Sequence, residues 1–523
     1  MTRQVGQAQD IVLRLTGITK RFGALLANDG VSLTLRRGEV VALLGENGAG
    51  KTTLMNILFG QYLADAGAIE AFGRPLPAGN PRAALAAGIG MVHQHFTLAD
   101  HLTVLENVVL GTEPLWWPGL GRARARARVE QLGRDFGLVV QPGAKVGTLS
   151  VGERQRVEIL KALYREARVL ILDEPTAVLT PQETEALFQT LKRAVALGLS
   201  ILFISHKLHE VMAIADRCVV LRHGRVVGEV ATAATDPQAL ARLMVGAEVV
   251  APEVAPARPG PVLLALDAVS TPNRGAVPGL KRVNLALRAG QIVGLAGVSG
   301  NGQAALSDLI AGLDHPAAGE ISLRGAVLAA WSPRRAVALG IARIPEDRHA
   351  SGTIADFTLT ENAILEGYAA PPFSRRGWMN WAAAERFARR VIRDYDVRCP
   401  GPDQPVRLLS GGNMQKLILG RVLEARGFES GPQIILANQP VRGLDIGAIA
   451  YVHGRLLAAR ASGAAVLLIS EDLDEIMALA DVIHVMSAGR LSPGFARATM
   501  TAPELGLWMA GQGFAAGGAE DAA

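Results

Sequence analysis

Short apolar runs alternate with helical stretches along this chain, and the alternation occurs twice. EVVALLG at 39–45 and QIVGLAG at 291–297 are apolar patterns of the kind found in buried strands. Each runs into a glycine-rich turn and then a helical stretch. Because strands that alternate with helices favour a parallel sheet covered by helices, the pattern predicts an α/β fold, present twice.

The two halves also repeat one another in sequence. PRAALAAGIGMVHQHF at 81 matches PRRAVALGIARIPEDR at 333, and the same offset of 252 places GENGAGKTTL on GVSGNGQAAL. LSVGERQRVEIL at 149 matches LSGGNMQKLILG at 409, and ILFISHKLHEVMAIADR at 201 matches LLISEDLDEIMALADV at 467. Landmarks that recur in the same order indicate two copies of one domain.

The repeat sets the predicted domain boundaries. We predict one domain at 10–248 and a second at 263–511, joined by a linker at 249–262 that is rich in Pro and Ala. The tail at 512–523 is predicted to be disordered. A length of 523 residues suggests roughly two to four domains, which agrees with this division.

Composition and charge exclude several classes of protein. The 53 basic and 48 acidic residues leave a net charge of +5 without a basic arm, so a nucleic-acid partner is not expected. Cys218 and Cys399 lie in different halves without a CxxC pair, which favours a reduced cytosolic protein. The amino terminus lacks an apolar signal, and no apolar run approaches a membrane span. A membrane function would therefore require a membrane partner.

GENGAGKT at 45–52 satisfies the phosphate-loop pattern G-x-x-x-x-G-K-[ST]. Its glycines let backbone N–H groups turn onto phosphate oxygens, and the following helix adds the positive end of its dipole. Lys51 is expected to reach the β- and γ-phosphates, and the Thr52 hydroxyl is expected to bind Mg²⁺. The predicted nucleotide-binding residues of this loop are Gly45, Asn47, Gly48, Gly50, Lys51, Thr52 and Thr53.

A second strand end carries two adjacent carboxylates. The apolar run that ends at Leu172 delivers Asp173 and Glu174 to the carboxyl edge of the predicted sheet, where open α/β sheets bind ligands. Asp173 suits a metal ion, and Glu174 suits the polarisation of an attacking water. A solvated strand end is the alternative interpretation, but the buried strand and the phosphate loop upstream argue against it.

The order of these motifs resembles that of one large family, the ATPase subunits of ABC transporters. LSVGERQR at 149–156 and LSGGNMQK at 409–416 look like the signature of that family, and the resemblance covers almost the whole chain. By this resemblance, Gln94 matches the glutamine that senses Mg²⁺ and contacts the membrane partner, and His206 matches the switch histidine. Phe22 matches the aromatic residue that stacks on adenine, although a lone aromatic near a strand is commonly a core residue.

In this family two such domains close head to tail, with nucleotide between the phosphate loop of one and the signature of the other. The resemblance therefore implies ATP and Mg²⁺ as cofactors and a first site completed by the second signature. The implied catalytic residues are Lys51, Gln94, Glu174 and His206; the implied metal-binding residues are Thr52, Gln94 and Asp173; and the implied signature residues are Ser410, Gly411, Gly412 and Asn413.

The other site has lost most of these residue types. All the substitutions fall on this other site: Gln303 for the lysine, Ala304 for the threonine, Glu346 for Gln94, Asn438 and Gln439 for the two carboxylates, Glu471 for His206, and Val151 for the signature glycine that corresponds to Gly411. Independent decay would have spread these changes over both sites. We therefore predict one hydrolytic site and one that at most binds nucleotide.

The same resemblance implies a class of transported solute. A tandem chain with one live site is similar to importers of nucleosides and of monosaccharides, and GNGQ at 300–303, IPEDRH at 344–349 and NQPVRGLD at 438–445 favour the nucleoside branch. The implied partners are two integral-membrane permeases and an extracytoplasmic substrate-binding protein. The chain is expected at the cytoplasmic face of the inner membrane, peripherally bound, with one copy supplying both ATPase halves.

Three other interpretations fit parts of the sequence. A monosaccharide importer of the ribose, galactose or xylose type remains the alternative within the family. Soluble tandem ABC proteins that act on ribosomes typically keep both catalytic glutamates and a long charged linker, and this chain has neither. A purely regulatory nucleotide-binding protein is disfavoured by the complete catalytic set of the first half.

Overall fold

The computed structural model of the chain describes residues 11–23, 25–46, 48–93, 96–112, 121–176, 179–205, 207–246, 254–275, 278–328, 330–424 and 432–516. The chain separates into two compact units, Met1–Val249 and Val250–Ala523. No helix within these described ranges is long and apolar enough to cross a membrane.

The first unit contains two sheets and the helices that flank them. Its strands are β1 (Ile11–Phe22), β2 (Leu25–Arg36), β3 (Val40–Gly45), β4 (Ala66–Ala71), β5 (Arg74–Pro75), β6 (Ile89–Val92), β7 (Val169–Asp173), β8 (Ser200–Ile204), β9 (Arg217–Arg222) and β10 (Arg225–Ala231). Its helices are α1 (Lys51–Leu58), α2 (Pro81–Ala86), α3 (Val104–Val109), α4 (Arg122–Phe136), α5 (Val151–Tyr164), α6 (Pro181–Ala196), α7 (Leu208–Ile214) and α8 (Pro237–Val245).

The larger sheet of the first unit has the order β10-β9-β3-β8-β7-β6. All its neighbours pair in parallel except β10, which lies antiparallel to β9 at one edge. Strands β3, β7 and β8 are buried along their whole length, as continuous apolar runs predict for parallel strands covered on both faces. The predicted α/β fold with a mainly parallel sheet is therefore confirmed.

A second, antiparallel sheet of the order β2-β1-β4-β5 was not predicted. Its strands alternate buried and exposed positions, because one face packs on the core and the other faces solvent. Leu13, Leu15 and Leu35 of this sheet share a buried cluster with Leu43 of β3 and Leu54 of α1. The antiparallel sheet thus packs over the helix that begins at the phosphate loop.

The second unit repeats this plan. Its strands are β11 (Val262–Ser270), β12 (Val283–Arg288), β13 (Ile292–Ala296), β14 (Ala318–Leu323), β15 (Ala326–Val327), β16 (Ile341–Ile344), β17 (Ser374–Arg375), β18 (Trp378–Met379), β19 (Ile434–Asn438), β20 (Ala465–Ser470), β21 (Val482–Ser487), β22 (Arg490–Leu491) and β23 (Phe495–Ala496). Its helices are α9 (Gln303–Ile310), α10 (Pro333–Ala338), α11 (Leu359–Ala363), α12 (Trp381–Asp394), α13 (Gly411–Leu423), α14 (Ile446–Ala461), α15 (Leu473–Leu479), α16 (Ala502–Met509) and α17 (Gln512–Ala516).

Sheet topology confirms the internal repeat. The order β16-β19-β20-β13-β21 in the second unit corresponds to β6-β7-β8-β3-β9 in the first, with the same parallel pairing. The antiparallel sheet recurs as β12-β11-β14-β15. In both units the strand before the phosphate-loop position and the strand that ends in the paired polar residues are separated by one strand.

The prediction of disorder from residue 512 is wrong for residues 512–516, which form α17. The ring of Phe514 lies 5.0 Å from that of Trp508 on α16, edge to face, and this aromatic contact gives the helix something to pack on. Residues 517–523 lie outside the described residues.

Candidate nucleotide site

The phosphate loop of the first unit connects β3 to α1. Gly50, the residue before α1, has φ 99°, and a Cβ there would overlap the carbonyl oxygen of Ala27. Only glycine fits this position without displacing the backbone. The turn therefore brings the amino terminus of α1, with its partial positive charge, to the carboxyl edge of the sheet.

Lys51 is the first residue of α1 and is only 8% exposed. Its Nζ donates to the carbonyl oxygens of Gly45, at 2.6 Å, and Glu46, at 3.0 Å. The charged end of the side chain thus lies over the loop that would hold the phosphates. Thr52 is exposed and Thr53 is half-buried.

Asp173 and Glu174 lie at the end of β7, two strands from β3. Asp173 is buried, and burial raises the pKa of its carboxyl group, with the Glu174 charge as a second cause; Lys51 and His93 act in the opposite direction. Glu174 has φ 47°, and its N–H donates to the carbonyl of Ile204 on β8 at 2.9 Å. A carboxylate that has lost its water shell next to a second carboxylate favours a divalent cation.

A buried carboxylate that the sequence analysis missed lies beside this strand end. Glu210 on α7 is 1% exposed, and its Oε2 accepts hydrogen bonds from the hydroxyls of Thr176, at 2.6 Å, and Ser205, at 3.1 Å. The Ser205 hydroxyl accepts in turn from the N–H of Lys207. These bonds fix the residues on both sides of position 206. One signal in the sequence could have indicated this buried carboxylate. Glu210 lies one helical turn before Ile214, and α7 buries both side chains.

Phe22 is not a core residue. It lies at the end of β1 with 44% of its surface exposed, and its ring lies 5.7 Å from that of Tyr62, edge to face. Nζ of Lys20 lies 5.4 Å from the centre of the Phe22 ring. An exposed aromatic pair can stack on a nucleobase. The sequence analysis missed Tyr62, because no spacing rule connects it to Phe22.

The signature of the second unit forms the start of α13. Ser410 caps this helix, its hydroxyl accepting from the N–H of Asn413 at 3.4 Å and from the Asn413 side-chain amide at 2.9 Å. Gly411 and Gly412 occupy the first turn and are half-buried. The amino terminus of this helix of 13 residues therefore presents N–H dipoles without a carboxylate in its first turn.

The first signature, at the start of α5, has the opposite charge character. Ser150 and Glu153 form a capping box, so that a carboxylate lies in the first turn. Gly152 lies against Glu183, whose carboxylate would overlap a Cβ at that glycine. Two carboxylates therefore lie at this helix end, those of Glu153 and Glu183. The second signature has Asn413 and Ala448 at the corresponding positions, and one carboxylate lies nearby, because Oδ2 of Asp445 is 3.9 Å from where a Cβ would be at Gly412.

In the second unit, a side chain of the phosphate-loop segment forms hydrogen bonds with the backbone of the loop. Gln303, in place of Lys51, donates from Nε2 to the carbonyl of Val298 at 2.9 Å and accepts from the N–H of Asn301 at 3.1 Å. Gln439, in place of Glu174, has φ 49° and accepts from the N–H of Glu471 at 3.4 Å. The backbone of the site is kept, while its charges are replaced by amides.

The predicted site residues thus divide into those that the structure brings together and those it leaves out. Gly45, Gly48, Gly50, Lys51, Thr52, Thr53, Asp173 and Glu174 lie at one sheet edge of the first unit, and Ser410, Gly411, Gly412 and Asn413 lie at one helix end of the second. Asn47, Gln94 and His206 lie outside the described residues.

A cavity of about 290 Å³ opens in the first unit beside His93, the residue that precedes Gln94 in the sequence. Its walls include Phe59, His93, Lys161 and Arg165. Glu158 in the same wall accepts from the N–H of Thr97 at 2.5 Å and from its hydroxyl at 2.9 Å. The cavity therefore combines apolar surface with two basic side chains, of which Lys161 donates to Thr97 and Arg165 donates to the carbonyl oxygen of Leu110.

Comparisons with known proteins agree with the site. The family model described as "ABC transporter" matches residues 28–177 and 280–435, more than half of the chain. The guanosine import ATP-binding protein NupO of Bacillus subtilis is 43% identical over 503 residues, covering 96% of this chain and 98% of its own. The nucleoside import ATP-binding protein NupA of Lactococcus lactis is 42% identical, covering 96% and 99%.

A sugar importer subunit is similar to the same degree. The glucose import ATP-binding protein TsgD13 of Haloferax volcanii is 42% identical over 535 residues, covering 96% of each chain. Among solved structures, the complex of an archaeal ribosome recycling factor, aABCE1, with a ribosomal stalk protein aligns over 95% of this chain and 92% of that one, with a TM-score of 0.63. At 19% identity, this last likeness concerns the fold alone.

Proposed function

This chain belongs to the ABC transporter family, and from that premise we propose that it is the ATP-hydrolysing subunit of an importer that takes up nucleosides through separate permeases. The observation that carries the proposal is the convergence of Lys51, Asp173 and Glu174 at one sheet edge. A cation at a helix amino terminus and two carboxylates at the adjoining strand end form the charge arrangement that phosphoryl transfer requires.

Each residue has one proposed task in hydrolysis. The loop and Lys51 hold the phosphates, and Glu174 polarises the attacking water. Thr52 and Asp173, with Gln94, would hold Mg²⁺, which neutralises phosphate charge when bound. His206 would orient the water and γ-phosphate, and Phe22 would stack on the adenine. Ser410 to Asn413 would complete the site from the second half.

The second phosphate loop is proposed to be inactive in hydrolysis. Gln303 engages the loop backbone itself, and amides replace the metal-binding and water-polarising carboxylates. A missing general base alone lowers the rate by about 10² to 10⁴. We therefore propose that one of the two phosphate loops supports ATP hydrolysis.

The partners are proposed from the family and from one surface. Two integral-membrane permeases and an extracytoplasmic binding protein would complete the importer, with this chain at the cytoplasmic face of the membrane. The cavity lined by Phe59, Lys161 and Arg165 is the proposed contact for one permease, since its wall includes His93, the residue before Gln94 in the sequence, and combines apolar and basic side chains.

Nucleosides are the proposed cargo. Support comes from the NupO and NupA likeness, together with GNGQ, IPEDRH and NQPVRGLD in the second half. A monosaccharide is the second candidate, supported by the equal likeness to the glucose importer subunit. The ATPase halves do not touch cargo, so transport must be measured directly.

The test is uptake of labelled guanosine and labelled ribose by cells whose only copy of the gene encodes Lys51→Ala. We expect guanosine uptake to be abolished and ribose uptake to be unchanged. Gln303→Ala, at the equivalent position of the second half, is the matched control and is expected to keep guanosine uptake within about twofold of wild type. Loss of ribose uptake alone would show that the cargo is a sugar and not a nucleoside. Unchanged uptake of both solutes would contradict both proposed cargoes.

A further inference from the structure

The segment that follows β16 differs from its counterpart in the first unit. Arg348–Gly352 forms a single turn of π-helix, and the Asp347 side chain accepts from the N–H groups of His349, at 2.8 Å, and Ala350, at 2.9 Å. The Thr353 hydroxyl donates to the carbonyl of Arg348 at 2.8 Å and contacts Sδ of Met414 on α13 at 3.6 Å. The turn is thereby fixed against the signature helix.

The side chain of Arg348 joins three loops of the second unit. Its Nη2 donates to the carbonyl oxygen of Arg442 at 2.7 Å, and its guanidinium carbon lies 3.6 Å from where a Cβ would be at Gly411. The Arg442 side chain in turn pairs with Glu346 at 2.5 Å. One pair of arginines therefore connects three parts of the second unit: the segment after β16, the loop after β19 and the signature.

A cation at this place is unfavourable for the helix itself. The amino terminus of a helix carries partial positive charge, so a guanidinium beside Gly411 opposes the dipole of α13. Burial lowers the pKa of Arg348, and Arg442 acts in the same direction, whereas the adjacent Asp347 carboxylate acts in the opposite direction. The position of the guanidinium beside Gly411 is therefore the observation that needs a functional reason.

The first unit lacks the residue types that make these contacts. The residues at the positions of Glu346, Arg348 and Arg442 are Gln94, Phe96 and Ala177. The first signature has carboxylates where the second has Asn413 and Ala448. The arginine thus lies beside the signature that has no acidic residue in its first turn, and the first unit has Phe96 at the equivalent position.

We propose that Arg348 is a positioning residue for ATP hydrolysis, which holds the signature Ser410–Asn413 and the loop at Arg442 in one fixed arrangement and adds positive charge beside the helix end to which the proposed function assigns the γ-phosphate. This inference rests on the proposed function, in which the second signature completes the hydrolytic site. The planar guanidinium suits the task, because it donates in two directions and stays charged at every physiological pH.

The test uses the purified full-length chain with ATP and Mg²⁺, and measures kcat, KM and the unfolding temperature of Arg348→Ala. We expect kcat to fall at least about tenfold, since misplacing a catalytic group by about 1 Å can cost as much as about 100-fold, with KM changed by less than about threefold. The unfolding temperature is expected to stay close to that of wild type. Added guanidinium ion is expected to restore part of the activity, and Arg348→Lys to have an intermediate kcat.

Arg389→Ala is the matched control, because Arg389 is an exposed arginine of the same unit that pairs with Glu385 on its own helix. It should leave kcat within about twofold of wild type. The inference is wrong if Arg348→Ala keeps wild-type kcat while Lys51→Ala abolishes hydrolysis. It is also wrong if activity falls only in step with the folded fraction and guanidinium restores nothing. Hydrolysis that survives Lys51→Ala would contradict the proposed function and this inference together.

Discussion

The two units of this chain share one backbone and differ in charge. Glu174 and Gln439 have nearly the same φ, 47° and 49°, and each donates its N–H to the neighbouring strand, at 2.9 and 2.8 Å. The left-handed backbone conformation at this strand end is therefore the same in both units, although the second unit has an amide where the first has the carboxylate proposed to act in hydrolysis. Strand pairing and packing therefore maintain the geometry of the site, and a few side chains decide whether it is chemically active.

The charges at the two signatures differ in the opposite direction from those at the two phosphate loops. The first unit keeps the charges for hydrolysis but has carboxylates at the start of its signature helix, whereas the second has lost the hydrolytic charges and has an uncharged signature beside Arg348. Under the proposed function the two units are specialised: the first carries the reacting groups, and the second contributes its signature.

The largest expected effect comes from copying the second unit into the first. Glu174→Gln should reduce kcat by about 10² to 10⁴ while ATP binding is retained, because an amide keeps the shape of the carboxylate but cannot take up a proton. Steady-state ATPase and equilibrium binding of labelled ATP measure the two quantities.

The reverse change, Gln439→Glu, is the control for that comparison. It should raise hydrolysis by less than about twofold, since Gln303 and Ala304 still leave phosphate and metal without partners. Vigorous hydrolysis by Glu174→Gln, or a second active site created by Gln439→Glu, would show that the units are not specialised as described.

An intermediate effect is expected at the exposed aromatic of the first unit. Phe22→Ala should raise the KM for ATP by about 5- to 100-fold with little change in kcat or in unfolding temperature, since stacking on a base contributes about 1–3 kcal/mol and the ring is exposed. The register of β1 and β11 places Asn273 at the equivalent position of the second unit. Asn273→Ala should leave the KM unchanged. An equal effect of the two substitutions on the KM would show that the two units do not differ at this position.

The smallest effect concerns stability. Asp173→Asn copies Asn438 and removes a carboxylate whose pKa burial raises, so it should stabilise the chain free of nucleotide and metal by on the order of 1 kcal/mol at neutral pH. A raised carboxyl pKa means that the folded state resists ionisation, so the wild type loses stability as the pH rises through 3.8, the ordinary value.

The advantage of Asp173→Asn should therefore grow with rising pH and become constant above the raised pKa. Denaturant unfolding over a pH series, with a chelator present, measures it. An advantage that is the same at every pH would show that ionisation of Asp173 is not the cause.

Local sequence determined much of this protein. The phosphate loop, the buried strands and the carboxylate pair depend on residues a few positions apart, so their pattern is visible in one pass along the chain. The repeat then supplied the second fold and the list of lost charges. Glycine at position 50 and the order of apolar strand and helix are dictated by backbone geometry that any chain must obey.

Tertiary structure alone decided how distant residues meet. Arg348 and Arg442 are 94 residues apart, yet one donates to the other, and Glu183 reaches the signature helix from a separate element. The antiparallel sheets, the Phe22–Tyr62 pair and the helix at residues 512–516 likewise depend on which surfaces pack together. Such contacts follow from the packing of whole elements, which a short stretch of sequence does not encode.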